Sequence, residues 1–322
     1  MELEQHKSKR FLFEDTESFN NVYISNGNTK FYINKQLGYG SYANIYNILY
    51  SISNKVTDFE KLNSPRCVKI FKKSSKYTEH AIKEVEIIKK IKHPTLFVSI
   101  FDTFTYKDHF CIITNKYDCN LYQYSKKKKF CKIDIRIIVK QLLKGLVFLK
   151  QKEIIHGDLK PENILVNLKD NFLTTCAICD FNLSEDASKQ LDHKNTNITT
   201  LWYRAPEIYL DIDYSYEIDI WGFGCILYEL ITGKALFRPK CTNDNTLNNK
   251  KLYELHISFI GKCPFNLLEN VGSLDLDNTI LFDAKIFKTG YQTILAECIK
   301  WDPKKRMLPE GCLKYIRQMI QN

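Results

Sequence analysis

An α+β fold in two lobes is what this sequence predicts, and three observations predict it. From Phe31 to Tyr117 the apolar runs are short and rich in β-branched and aromatic residues, the composition of a small sheet. From Asp118 onward the runs lengthen and take helical periods, as in "IDIRIIVKQLLKGLVFLKQ" over 133–151. A series of chemistry-bearing motifs spreads across both stretches, which places a crevice between a β-rich lobe and a helical one.

Taken in order, residues 1–30 are polar and read as an N-terminal extension. The first lobe, 31–117, holds the strand-like runs "FYINKQLG", "ANIYNILYS", "RCVKIF", "LFVSIFDTFTY" and "FCIITNKY". One helix interrupts them, "TEHAIKEVEIIKKIKH", whose Ala81, Ile82, Val85, Ile88 and Ile91 repeat at helical spacing until His93-Pro94 stops it. The second lobe, 118–322, contains the helix of 133–151 and a nearly all-apolar one, "IDIWGFGCILYELIT" over 218–232, which must be buried on every side. The whole is read as one domain over 31–318.

Composition narrows the class. No apolar run is long enough to span a bilayer, and the start, "MELEQHKSKRFLFEDTE", lacks the apolar core of a secretion signal, so a cytoplasmic or nuclear protein is expected. The eleven cysteines are odd in number and irregular in spacing, which favours reduced thiols. Cys176 and Cys179 have C-x-x-C spacing, but no second pair accompanies them and "FLTTCAICDF" reads as a buried strand, not a zinc site. Net charge is +10, from 47 basic and 37 acidic residues that are interspersed, so no direct nucleic-acid binding is expected. Lys126–Lys129 form the one compact basic run; a solvated helix end is the plain reading, a localisation signal or docking patch the other.

The motifs carry the chemistry. "LGYGSYANIY" places Gly38 and Gly40 in a hairpin, with Tyr39, Ser41, Tyr42 and Ala43 around them; glycines there let backbone N–H groups approach a phosphate. The chain then returns to strand, which excludes a Rossmann site, and no G-x-x-x-x-G-K-[ST] occurs. Lys69 lies on the next apolar strand and Glu84 on the following helix, a pairing that would orient an ammonium toward nucleotide phosphates. In "HGDLKPEN", Asp158 can accept a proton from an attacking hydroxyl, Lys160 adds a cation, and Asn163 offers an oxygen to Mg²⁺. Asp180 in "CDFN", seventeen residues after Asn163, would supply the second metal ligand.

With "TTLWYRAPE", "DIWGFG" and "WDPKKR" following in order, the chain resembles the eukaryotic protein kinases from about Phe31 to Gln318. That resemblance implies a bilobal kinase fold with ATP in the cleft, Mg²⁺ as cofactor and Ser/Thr residues of a protein substrate as acceptors. It implies an adenine site formed by Leu37, Ile45, Cys67 and Leu165, with the base edge on the backbone of Asn115, Lys116 and Tyr117 and Thr114 as gatekeeper. It also implies a Glu207–Arg306 pair and an Asp219 tether for the catalytic loop. Arg204 and the extra stretch from Lys234 to Leu268 resemble the CMGC group, closest to its SR-protein, LAMMER and dual-specificity tyrosine-regulated branches. No cyclin-binding helix is evident, and a monomer is expected.

Three positions depart from the family pattern. Gly157 stands where an arginine usually meets a phosphorylated loop residue, and Asn195 aligns with that residue, so activity without loop phosphorylation is expected; the other reading has Thr196, Thr199 or Thr200 modified. Asn182 replaces the glycine of the D-F-G turn and is expected to accept φ > 0 in its place. Ala43 replaces the last loop glycine. Cys179 is expected at the nucleotide pocket, as an inert thiol or as one that electrophilic nucleotide-site ligands modify. These departures motivate the alternative of a catalytically weak pseudokinase or binding scaffold; a small-molecule or lipid kinase is a third reading.

Overall fold

The computed structural model describes residues 18–53, 64–188, 199–261, 263 and 290–321. The chain divides into two compact units, Met1–Ala81 with Ile100–Lys116, and Ile82–Ser99 with Tyr117–Asn322. Asn195 and Thr196 lie outside the described residues.

The first unit is one antiparallel sheet. Its strands are β1 (Val22–Ser25), β2 (Thr29–Tyr39), β3 (Ala43–Ser53), β4 (Arg66–Phe71), β5 (Ile100–Tyr106) and β6 (His109–Asn115), in spatial order β1-β2-β3-β4-β6-β5. Alternating side chains, Phe31 and Ile33, Tyr46 and Ile48, Val68 and Ile70, Cys111 and Ile113, converge on one buried face, as period-two patterning dictates. The extension expected over residues 1–30 is shorter than read. Phe19 and Ile24 are buried in that core and Val22–Ser25 pairs with Lys30–Ile33, because the local polarity of 18–30 hides two apolar anchors. The β5–β6 hairpin turns on Lys107 and Asp108, both at positive φ (47° and 66°), a tight turn made without the glycine that usually announces it.

The division falls inside α1 (Ser75–Lys90). Its buried residues are Ala81, Glu84, Val85, Ile87 and Ile88, with Ile91 just beyond, while Ile82 is 44% exposed. The expected apolar face was thus rotated: Ile87 joins it and Ile82 leaves it. Residues 82–99 group with the second unit because Leu96–Val98 is stitched to its backbone there. Val98 N–H donates to the Ile178 carbonyl (3.1 Å) and Ile178 N–H to that of Leu96 (2.9 Å).

In the second unit β7 (Cys119–Asn120) leads into α2 (Leu121–Lys127), then come α3 (Lys132–Gln151) and β8 (Ile154–Ile155). β9 (Ile164–Lys169), β10 (Phe172–Ile178) and β11 (Glu185–Asp186) follow; β10-β9-β7 form one small sheet and β11-β8 another. The helices α4 (Pro206–Tyr209), α5 (Glu217–Thr232), α6 (Asn245–Ile260), α7 (Tyr291–Cys298) and α8 (Pro309–Gln321) complete it. α3 packs against β10, α5 and α8. α5 is the buried helix expected, enclosed from Ile218 to Leu227, and Gly233 ends it at φ +73°. Its Gly224 is required by close packing, since a Cβ there would lie 2.8 Å from the Ile299 side chain. The extra stretch from Lys234 supplies α6, whose His256 packs on Trp221 and Phe237.

No described helix is long and apolar enough to cross a membrane. All eleven cysteines are free, and the described residues hold no cluster of three or more His, Cys, Asp or Glu suited to a metal. Cys176 is buried in β10, and that burial pushes its thiol up to about 12.

Candidate active site

In the second unit the site grows from one buried carboxylate. Asp219, in the first turn of α5, accepts from the backbone N–H groups of His156 (2.7 Å) and Gly157 (3.0 Å). Burial pushes its carboxyl up, while His156 and the two N–H donors pull it down. The tether holds the turn after β8 in a shape ordinary residues resist: Gly157 sits at φ +79°. The missing arginine therefore has a conformational side, because glycine enters the left-handed region without the steric cost a Cβ carries.

The next links are local. Asp158 N–H donates to His156 Nδ1 (3.2 Å), which leaves the proton on Nε2, and Nε2 donates to the Cys179 carbonyl (3.1 Å). The His156 ring meets Phe181 edge-on at 5.0 Å, and Phe181 is fully buried against Phe97. Cys179 N–H in turn donates to the Asn163 carbonyl (2.9 Å). Histidine, phenylalanine and backbone thus lock the loop of Asp158 to the strand end that carries Asp180.

Asp158 is the centre of the arrangement and is itself buried. Lys160 Nζ donates to its Oδ2 at 2.5 Å, and Asn163 Nδ2 reaches the same oxygen at 3.3 Å and the Asp158 carbonyl at 2.8 Å. Thr200 donates to Oδ1 from its N–H (2.8 Å) and its hydroxyl (2.7 Å), and that hydroxyl accepts from Lys160 Nζ (2.7 Å). With the Asn163 amide nitrogen committed to Asp158, Oδ1 is the side-chain atom left for a cation. Thr200 is the residue sequence reasoning missed in this role: it stood only as a modification candidate. Its hydroxyl is engaged with Asp158 and Lys160, and a phosphate there would confront the Asp158 carboxylate.

The turn at Asp180–Asn182 differs from expectation. Asp180 itself takes the left-handed conformation, φ +68°, and Asn182 does not, so Asn182 needs no glycine-like freedom. Asn182 is buried instead, and Ser184 N–H closes the turn on the Phe181 carbonyl at 3.2 Å. Leu165 lies on β9, paired with Ala177 and Asn120, and Tyr117 begins the unit's longer segment. Cys179 is half-buried. Glu84 is buried on α1.

Thr199 is also left-handed, φ +71°, and buried. Its carbonyl accepts from Arg204 Nη2 (3.0 Å), whose Nη1 donates to Asn249 of α6 (2.9 Å), and burial lowers the pKa of that guanidinium. Glu207 and Arg306 form a bidentate pair at 2.6 and 2.7 Å with both side chains buried.

In the first unit the glycine hairpin joins β2 to β3, with Gly38 opposite Ile45 and Tyr39 opposite Asn44. Neither Gly38 nor Gly40 uses positive φ; at Gly40 a Cβ would stand a tight 3.0 Å from the Ala43 carbonyl oxygen, which accepts the Gly40 N–H. Lys72 Nζ donates to the Ser41 carbonyl (3.0 Å) and lies over the Tyr39 ring, and Tyr42 stacks on His80, so the loop tip is braced from both sides. Lys69 stands on β4 between Ile45 and Ile112, its Nζ 5.0 Å from the Phe71 ring centre. Cys67 Sγ contacts the Thr114 hydroxyl at 3.2 Å, and burial pushes the Cys67 thiol up. Leu37 is half-buried on β2, and Asn115 ends β6, after which Lys116 N–H donates to the Pro65 carbonyl.

These features define a protein kinase domain, and the chain belongs to that family: the protein kinase domain matches residues 31–316. Among its relatives is the probable dual specificity protein kinase YAK1 homolog of Encephalitozoon cuniculi, 35% identical over 251 residues that cover 76% of this chain and 56% of the relative. The serine/threonine-protein kinase prpf4B of Dictyostelium discoideum is 30% identical, covering 72% of this chain and 28% of the relative. The dual specificity tyrosine-phosphorylation-regulated kinase 3 of Rattus norvegicus is 28% identical, covering 79% and 50%. These are kinases of the CMGC group, the group to which this chain is assigned. The chain spans about half the length or less of these relatives.

Proposed function

We propose that the chain transfers the γ-phosphate of ATP to Ser and Thr hydroxyls of a protein substrate. The observation that carries this reading is the Asp158 carboxylate, fixed by Thr200 on one oxygen and by Lys160 and Asn163 on the other. The protein kinase family as a whole uses ATP and Mg²⁺. Asn163 and Asp180 would hold the metal, Lys69 and the hairpin of 38–45 the phosphates; the metal would supply charge neutralisation at the transferring group.

This chain's own contribution is to hold and orient. Oδ1 of Asp158 takes both Thr200 donors and Oδ2 takes Lys160 at 2.5 Å and Asn163 at 3.3 Å, so the acceptor hydroxyl would reach Oδ2 by displacing Asn163, the longest of the four contacts. Lys160 then faces the growing negative charge while still oriented by Thr200. Activity without loop phosphorylation is part of the proposal, since Gly157 offers no cation to a loop phosphate. The relatives' names include dual specificity kinases, yet no tyrosine occurs between Asp180 and Trp202, so any tyrosine autophosphorylation falls outside that segment.

Cytoplasmic or nuclear residence and a monomeric state complete the proposal. The test is phosphate transfer from Mg·ATP to a degenerate Ser/Thr/Tyr peptide array, with phosphatase-treated protein beside Asp158→Asn. Transfer by the parent alone supports the reading. Nucleotide binding without transfer by the parent overturns it in favour of a scaffold.

A further inference from the structure

The basic run beginning at Lys126 is not used by the site described above. Five lysines fall within seven residues, Lys126–Lys129 and Lys132, and all five are exposed. Lys126 and Lys127 occupy the last turn of α2, where a helix end favours cations. That argument stops there. Lys128 and Lys129 lie in the connection, and Lys132 opens α3, the helix end at which a cation is disfavoured.

The nearby counter-charge is partial: Lys126 pulls down the pKa of Glu229, whose carboxylate is already bonded to the Tyr203 hydroxyl. Asp134 is the one acid between Leu121 and Lys152, and it is buried, accepting from Cys131 N–H (3.0 Å) and the Tyr124 hydroxyl (3.2 Å). Among the described residues none of the five lysines forms an ion pair with a carboxylate. The bonds to Asp134, with Phe130 stacked on Tyr124 at 5.3 Å, order the connection, so the charges project from a fixed backbone. Their mutual repulsion is a standing cost that an anionic partner would relieve.

The face is also apolar between its charges. Lys128 Nζ lies 5.0 Å from the ring centre of Phe172, at the start of β10, and Phe172 is 64% exposed. Ile133 beside Lys132 is 68% exposed. We propose that this face is a docking surface for an acidic segment of a protein partner, with carboxylates meeting the lysines and aliphatic side chains meeting Phe172 and Ile133. An acidic polypeptide fits better than RNA: Lys128 already holds one face of the Phe172 ring, the rest of this exposed side chain and Ile133 suit aliphatic contact, and an isoleucine gives a base no ring to stack on. The proposal is independent of the catalytic reading.

The test is fluorescence anisotropy on the full chain. Its probes are a labelled peptide of about a dozen residues, glutamates with two central leucines, the same peptide with glutamine for glutamate, and an oligouridine of equal length. The glutamate peptide is expected to bind and to weaken as salt rises, and the glutamine peptide not to bind. Lys128→Glu/Lys129→Glu/Lys132→Glu should weaken binding at least about tenfold, and Phe172→Ser by about threefold, with thermal midpoints unchanged. Failure of the glutamate peptide to bind, binding indifferent to the triple variant, or preference for oligouridine would each overturn the proposal.

Discussion

Arg306→Met removes a cation whose surroundings set the cost of its loss. The guanidinium donates to both oxygens of Glu207, at 2.6 and 2.7 Å, to the Glu217 carbonyl at 2.9 Å and to the Lys300 carbonyl at 3.0 Å, and it lies 5.0 Å from the Trp221 ring centre. Side-chain exposure is 0% for Arg306 and 1% for Glu207, so water cannot take over the pairing. Methionine fills much of the volume but leaves the Glu207 carboxylate buried without a counter-charge, at a cost of about 3–5 kcal/mol. For a unit of this size that corresponds to a fall of roughly 6–20 °C in the thermal midpoint. The double variant Arg306→Met/Glu207→Leu removes both charges and should recover most of the loss, because an apolar pair of similar volume needs no partner. Urea unfolding followed by tryptophan fluorescence suits the measurement, since Trp221 lies beside the pair. A single variant within about 1 kcal/mol of the parent, or a double variant that loses the sum of both singles, would refute the reasoning.

Gly157→Ala should destabilise by about 1 kcal/mol, because φ +79° carries a steric cost for any Cβ that exceeds the entropic gain of alanine in the unfolded chain; a raised thermal midpoint would contradict this. Asp158→Asn should lower transfer by about 10²–10⁴-fold with nucleotide affinity retained, measured by single-turnover kinetics. Thr200→Val should lower kcat by roughly tenfold and stability by about 1 kcal/mol, through loss of the hydroxyl shared by Asp158 and Lys160; unchanged kcat would contradict this. Asp186 is held at about 2, against an ordinary 3.8, first by the hydrogen bond from Lys90 and then by Ser188. Because that carboxyl is depressed in the fold, its stabilising share is present above 3.8 and lost as pH falls toward 2. A carboxyl NMR titration of Lys90→Met should show the Asp186 midpoint moving up toward 3.8, and an unmoved midpoint would deny Lys90 its role.

The sequence by itself determined the α+β class, the buried helix over 218–232 and the order of Lys69, Asp158, Lys160, Asn163 and Asp180 along the chain. Periodicity and motif spacing are local quantities, and these features are local. Tertiary structure decided the rest. It drew Phe19 and Ile24 into the first sheet, turned Ile82 outward and Ile87 inward on α1, and gave the left-handed turn to Asp180 instead of Asn182. It also brought Thr200 to Asp158 across forty-two positions of sequence and turned Asp134 inward, away from the lysines beside it. A residue's type and its neighbours in sequence fix what bonds it can make. Which of those bonds forms depends on the groups that folding brings within about 3 Å, and on the burial that leaves them no water to choose instead.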